Sequence, residues 1–319
     1  MQLTGTGPVG TTDVLGPRRG GDTEQRVVVR GVSGHGGHGR YGARLTIVGR
    51  TCAAESVRRV RSPSPPISGK DVRVQVHTRT NAPRPVRGTR WGFPDPLTHC
   101  DDDGLLAVGA DLEPETLVAA YRAGIFPWPH DRSPLPWFSP DPRGVIPLEH
   151  IRVSKTLRQT MRRSGWDTTV DAAFPQVMEC CAKRGNGDGT WITKPMRAAY
   201  HRLYALGWAH SVEVWNGDEL VGGLYGVLLG GVFTGESMFH RRTDASKVAL
   251  VDLIDRLEEA KGALVDVQLV TDHLASLGAI PIGRALFLEL LHELRDDDIR
   301  LASDRLPVSR LAERSALQR

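Results

Sequence analysis

AHSVEVWNGDELVGGLYGVLLGGVFTGESMF, residues 209–239, is the stretch whose reading decides the fold. It holds three apolar runs, Ala209 to Trp215, Glu219 to Leu229 and Val232 to Phe239. Asn216-Gly217-Asp218 separates the first two, and Gly230-Gly231 the last two. Asn-Gly and Gly-Gly between apolar runs signal hairpins, because the tight turns that match strand twist need residues at ease with positive φ. The stretch therefore predicts a three-stranded antiparallel meander. Downstream, Ser246 to Lys261 reads as a helix stopped by Gly262, and LVDVQLV at 264–270 as a further strand.

The flanks add helices. Leu112 to Ala123 predicts one, with Asp111 as N-cap, Pro114 in the first turn and Gly124 as the stop. Ser154 to Arg163, Asp171 to Ala182 and Thr193 to Leu206 predict three more. After the last strand come a short helix over Asp272 to Gly278, an edge piece at Ile280-Pro281-Ile282 and a helix over Arg284 to Leu294. A meander, a crossover helix, another strand and more helices make an α+β fold, with a mainly antiparallel sheet flanked by helices. The aromatic and proline-rich run from Phe126 to Arg143 reads equally well as a rigid binding wall or as a stiff loop plugging its own core.

Composition divides the chain. Its net charge of +4 hides a split, for residues 1–90 carry 16 Lys+Arg against 5 Asp+Glu and residues 91–319 carry 25 against 32. The basic character belongs to a Gly/Arg-rich leader that holds too little apolar sequence to offset its ordering entropy. The expected organisation is a disordered leader over 1–90, a small N-terminal domain over 91–150, a larger domain over 151–295 and a charged flexible tail over 296–319. No apolar run approaches the roughly 20 residues needed to span a membrane. Cys52, Cys100, Cys180 and Cys181 have no zinc-site spacing, and a reducing cytoplasm is the expected compartment.

Three polar residues interrupt the predicted strands. Glu236 lies inside the third run of the meander, and Asp266 and Gln268 inside LVDVQLV. A carboxylate among apolar neighbours is costly unless paired, hydrogen-bonded or used chemically. Asp266 and Gln268, two apart, leave the same face of a regular strand and point into one pocket. An acid and an amide so placed suit attack of an amine on a carbonyl. Asp266 would take the proton or stabilise the developing ammonium. Gln268 would donate to the carbonyl oxygen or orient the amine. Glu236 would meet a cationic acceptor, unless it is satisfied by Lys247 or Arg241.

Several segments then carry a resemblance. GLLAVGADL at 104–112, GIFPW at 124–128, WFSPDPR at 137–143 and GTWIT at 189–193 are four of them. AYHRL at 199–203, GESMF at 235–239, ASK at 245–247, Asp266-x-Gln268 and TDHLASLGA at 271–279 follow in order. Together they resemble leucyl/phenylalanyl-tRNA–protein transferases, from about Trp91 to about Leu294. The resemblance implies an acetyltransferase-like catalytic domain behind a smaller N-terminal one. It implies an aminoacyltransferase that moves Leu or Phe from aminoacyl-tRNA to the α-amine of a protein beginning with Arg or Lys, marking that protein for degradation by the N-end rule. It also points to Glu236 and Asp266 as functional residues.

By motif position, Trp128 and Trp191, with Tyr200 as a companion, would stack on the terminal adenosine of the tRNA. Leu224, Phe233, Met238, Leu250, Leu253, Leu257 and Val265 would line the aminoacyl pocket. The aliphatic Leu253 and Leu257 imply a preference for Leu over Phe. Residues 151–210 hold ten Lys+Arg against four acids, and Arg152, Lys155, Arg158, Arg162 and Arg163 form the candidate contact to tRNA phosphates. No metal or cofactor is needed, because the tRNA ester is already activated, and a monomer is expected. Two rivals stand beside this reading. An acyl-CoA-dependent acetyltransferase would place glycine-rich backbone around the pyrophosphate, and the link from His240 to Ser246 has no glycine. A non-catalytic RNA-binding protein would not need Asp266 and Gln268 together.

Overall fold

The computed structural model describes residues 13–14, 82–129, 134–183 and 191–314. The expected leader therefore lies almost wholly outside the described residues. From 82 onward the chain already bonds to the body. The Arg84 N–H donates to Leu206 O, the Trp208 indole to Arg84 O, and Thr89 meets Thr116.

A small sheet comes first. Its strands are β1 (Asp13–Val14), β2 (Leu105–Val108), β3 (Phe126–Pro127) and β4 (Pro136–Phe138), in the order β1-β2-β4-β3. Helices α1 (Pro96–His99) and α2 (Pro114–Arg122) accompany it. Asp111 does not cap α2, which starts two residues later than expected. Its carboxylate instead accepts from the Trp91 indole, the Thr116 hydroxyl and the Glu113 N–H, which ties the segment before the helix into a turn.

The next strand belongs to a second sheet. β5 (Arg143–Pro147) pairs antiparallel with strands from the far end of the chain, so the expected boundary at 150 falls inside the larger layer. Five residues that follow one proline and end in another carry no periodicity that could announce it. The rest are β6 (Asp167–Val170), β7 (Ala209–Asn216), β8 (Glu219–Leu229), β9 (Val232–His240), β10 (Leu264–Gln268), β11 (Ile280–Ile282) and β12 (Leu306–Pro307). The order is β11-β5-β10-β9-β8-β7-β6-β12, and the expected meander β7-β8-β9 is its centre. Only β9 and β10 pair in parallel within it, because α6 (Ala245–Glu259) connects them as a crossover.

The remaining helices cover both faces of this sheet. α3 (Lys155–Arg163), α6 and α9 (Ser309–Arg314) share one core cluster with Val212, Leu224 and Phe233. α4 (Phe174–Ala182) and α5 (Lys194–Ala205) share another with Tyr225, Val227 and Phe239, alongside α2. Leu224 and Tyr225, adjacent on β8, fall into different clusters, as strand alternation requires. α6 is buried nearly all round, and Leu253→Ala at its centre is expected to cost about 2–5 kcal/mol. α7 (Asp272–Ser276) and α8 (Arg284–Leu294) follow β10.

The tail is not frayed up to Arg314. β12 extends the sheet beyond β6, and Val308, Leu311 and Ala312 are buried in the core. The buried Arg256 of α6 donates to Asp252, Ala302 O and Asp304 O, while Arg310 reaches Asp252 and Asp255. Read as sequence, the acidic and basic residues after Arg295 suggest a solvated end, but Arg310 pairs with α6, Arg305 with Asp167 and Asp296 with Arg122. Among the described residues no helix is long and apolar enough to cross a membrane.

Candidate active site

β9 and β10 run together only from Val232 to Thr234 and from Leu264 to Asp266. Beyond that point each strand bulges. Tyr225 faces Ser237 and Gly226 faces Gly235, which leaves Glu236 as the extra residue on β9. Asp266 faces Val145 and Gln268 faces Gly144, which leaves Val267 as the extra residue on β10. A bulge bends its strand and re-aims the neighbouring side chains. Two glycines permit these bulges. A Cβ on Gly226 would lie 2.2 Å from Thr234 O, and one on Gly144 would lie 2.7 Å from the Leu269 carbonyl carbon.

The parted strands open a cavity of about 630 Å³. Leu224, Phe233, Met238, Leu250, Leu253 and Val265 are among its apolar walls. Leu257 does not line it. One turn further along α6, this side chain is fully buried in the core and packs against Gly262. The polar rim carries Asp244, Lys247, His240 and His273. A second cavity of about 190 Å³ adjoins the first. The two share Trp191, Glu236, Val267, Gln268, Thr271 and Leu274, and Trp128 lines the smaller one.

Glu236 stands at this junction. Its Oε1 accepts from the Tyr121 hydroxyl at 2.6 Å and from Gln268 Nε2 at 3.3 Å, and the Tyr200 hydroxyl also bonds the carboxylate. Burial raises its pKa to about 7. The tyrosine hydrogen bonds and the Arg143 charge pull it down, and the Asp266 charge pushes it further up. Neither cation that could have satisfied it does so. Lys247 bonds Asp244, and Arg241 bonds Leu220 O and Cys180 Sγ. Burial pushes the Tyr121 and Tyr200 phenols well above their ordinary range, so both remain protonated donors.

Asp266 is placed otherwise than expected. It is fully buried and lines neither cavity. Arg143 grips it through Nε and Nη2 at 2.8 and 2.7 Å, Thr234 donates a third bond and the Gln268 N–H a fourth. The shared-face reading of Asp266 and Gln268 fails because the bulge at Val267 lies between them. Gln268 has φ +60°, and only its side chain enters the cavity.

Tyr200 is likewise corrected. It is wholly buried and bonded to Tyr121 and Glu236, so no base can stack on it. Trp128 and Trp191 are part-exposed cavity walls. On α3, Arg152 just before the helix and Lys155, Arg162 and Arg163 along it are exposed, whereas Arg158 is buried against the body. Sequence reasoning missed Tyr121, Arg143 and Thr234. Gly226 and Gly235 inside apolar strands were the available sign of a bulge.

Known proteins agree in sequence. Residues 145–292 match the family described as leucyl/phenylalanyl-tRNA protein transferase, and 110–141 match the N-terminal domain of the same description. A leucyl/phenylalanyl-tRNA–protein transferase of Thiobacillus denitrificans is 54% identical over 195 residues, covering 61% of this chain and 86% of the relative. One from Syntrophobacter fumaroxidans is 52% identical over 203 residues, covering 63% and 86%. Among solved structures, L-PGS from Bacillus licheniformis aligns at 14% identity with a TM-score of 0.31, covering 66% of this chain and 71% of that one.

Proposed function

The chain belongs to the leucyl/phenylalanyl-tRNA–protein transferase family, and from that premise we propose that the two joined cavities are where an aminoacyl group leaves tRNA for the amine of a protein. The enzyme is an aminoacyltransferase acting between tRNA and protein. The observation that carries the finer reading is the 3.3 Å contact of Gln268 Nε2 with Glu236 Oε1 where the cavities meet.

In this reading the larger cavity takes the aminoacyl side chain. An apolar wall of Leu, Phe, Met and Val, enclosing about 630 Å³, suits leucyl or phenylalanyl and leaves room for part of the acceptor. The smaller cavity takes the terminal adenosine between Trp128 and Trp191. The exposed Arg152, Lys155, Arg162 and Arg163 meet tRNA phosphates. Asp244 is paired with Lys247, and the carboxylate of Glu236 at the junction favours an acceptor that begins with Arg or Lys. Its product, with a bulky first residue, is then marked for degradation.

The acceptor's α-ammonium approaches Glu236, and the carboxylate takes its proton. A pKa near 7 suits this task at neutral pH. Gln268, with Nε2 committed to Glu236, offers its carbonyl oxygen to an N–H of the attacking amine and holds the lone pair on line. The nitrogen bonds the ester carbon, the bond to the ribose oxygen breaks, that oxygen leaves with the proton that Glu236 carried, and the freed carboxylate takes the second proton from the nitrogen as the amide forms. Asp266, enclosed by Arg143, acts through the Gln268 backbone and not as the base.

The test is transfer of labelled leucine from Leu-tRNA to a peptide beginning with Arg, by the full chain and its Glu236→Gln variant. Loss of transfer with tRNA binding intact supports the assignment, and wild-type turnover by the variant rejects it. Competition between Leu-tRNA and Phe-tRNA at equal concentration measures the donor preference, and faster transfer of Phe would contradict a pocket suited to Leu.

A further inference from the structure

Arg143 is the first residue of β5, 1% exposed, and lines neither cavity. Its guanidinium lies over the rings of Phe126 and Phe287, at 4.9 and 4.4 Å from their centres. Nη1 donates to Gly124 O at 3.1 Å, while Nε and Nη2 take both oxygens of Asp266. A bidentate grip fixes the plane of a carboxylate as well as its position.

That plane decides the geometry of Gln268. Asp266 Oδ1 accepts the Gln268 N–H at 3.0 Å, two residues along the same strand. The Leu269 N–H closes a three-residue turn onto Val267 O at 2.7 Å, with Gln268 at φ +60° in its centre. This is the rarer, strained hand of the γ-turn, and such backbone persists only where its surroundings over-determine it. Here the surroundings are the carboxylate of Asp266, held by Arg143 and by the Thr234 hydroxyl at 3.1 Å. Without that turn the chain would continue as regular strand, and the side chain of Gln268 would not reach Glu236.

We propose that Arg143 is a positioning residue of the transfer reaction, which orients Asp266 so that the Gln268 backbone is locked in its turn and the Gln268 amide is aimed at the amine. The proposal rests on the reading above that Gln268 acts on the acceptor amine. The aligned residue is thus reached through three links, from guanidinium to carboxylate, from carboxylate to backbone N–H, and from backbone to amide.

The test is a double-mutant cycle in the leucine-transfer assay, using Arg143→Lys, Gln268→Ala and the two together. Lysine keeps the charge but gives up the two-pronged grip. Arg143→Lys is expected to lower kcat at least tenfold while KM for aminoacyl-tRNA stays within twofold. In the Gln268→Ala background the same change is expected to cost less than twofold. An equal loss in both backgrounds, or a rise in KM with kcat unchanged, overturns the proposal. Full activity of Gln268→Ala alone would instead reject the reading it rests on. Thr234→Val removes a single bond to the same carboxylate and serves if Arg143→Lys does not fold. A several-fold loss of kcat that vanishes beside Gln268→Ala supports the proposal, and unchanged kcat overturns it.

Discussion

Glu213 and Glu236 make an instructive pair. They lie two strands apart in one sheet, on β7 and β9, and burial raises the pKa of each to about 7. Glu213 is sealed. The hydroxyls of Thr169 and Ser211 and the N–H groups of Ala172 and Ala173 occupy its carboxylate, and it lines neither of the two cavities described above. Glu236 is held from one side by two tyrosines and Gln268, and its other side meets open space. A displaced pKa thus marks burial in both cases, and only access distinguishes a group that can exchange a proton with a substrate from one that fastens a loop.

The largest contrast is expected in turnover. Glu236→Gln should lower the transfer rate by about 10²–10⁴, the usual worth of a positioned acid or base. Glu213→Gln should stay within about threefold of wild type, on the same grounds that it touches no reacting atom. Equal losses in a single-turnover assay would erase the distinction.

The next contrast is in stability. Glu213→Ala leaves two backbone donors and two hydroxyls without their acceptor, and should cost about 3 kcal/mol in urea unfolding. A cost below about 1 kcal/mol would show that water replaces the carboxylate freely.

Titration sharpens the same point. Burial raises the Glu213 pKa in the folded state from its ordinary 4.5 to about 7, so the native state holds its proton more tightly. Its contribution to stability is complete below pH 4.5 and is lost as pH rises through about 7. At full extent this amounts to about 3 kcal/mol. Unfolding at pH 5 and pH 8 should therefore differ less in Glu213→Gln than in wild type, and identical differences would rule the effect out. His210, raised by Asp171 against the opposing effect of burial, adds a loss of the same sign in both proteins.

Smaller effects belong to the tRNA side. Trp191→Ala should weaken aminoacyl-tRNA binding by about 1–3 kcal/mol, the worth of one stacked base. Charge reversal at Arg162 or Arg163 should reduce the salt dependence of binding by about one ion each, measured as the slope of log K against log salt. Unchanged slopes would take α3 off the tRNA path.

The meander was legible because hairpin turns are local chemistry, written in Asn216-Gly217 and Gly230-Gly231. β5 was not, since its five residues gain strand character only by lying between β10 and β11. Glu236 and Gln268 stood out as polar residues in apolar strands. Asp266 stood out equally, yet the charge that encloses it comes from 123 positions away, and no local pattern announces such a partner. The two bulges defeated the reasoning by alternation, which had put Asp266 and Gln268 on one face. Tyr200 and Leu257 were misread for a simpler reason, because motif position cannot tell a cavity wall from the layer behind it.

The 123 positions that separate Arg143 from Asp266 also set a schedule. A ribosome adds about 5–20 residues each second, so on the order of ten seconds pass between the appearance of the guanidinium and that of its carboxylate. Throughout that interval β5 has neither neighbour, and of the two rings that flank Arg143 only Phe126 has been made. The nascent protein carries Trp128 early and Gln268 late, although both line the smaller cavity. A chain released before β10 emerges would hold Glu236 without the amide that stands beside it in the finished fold.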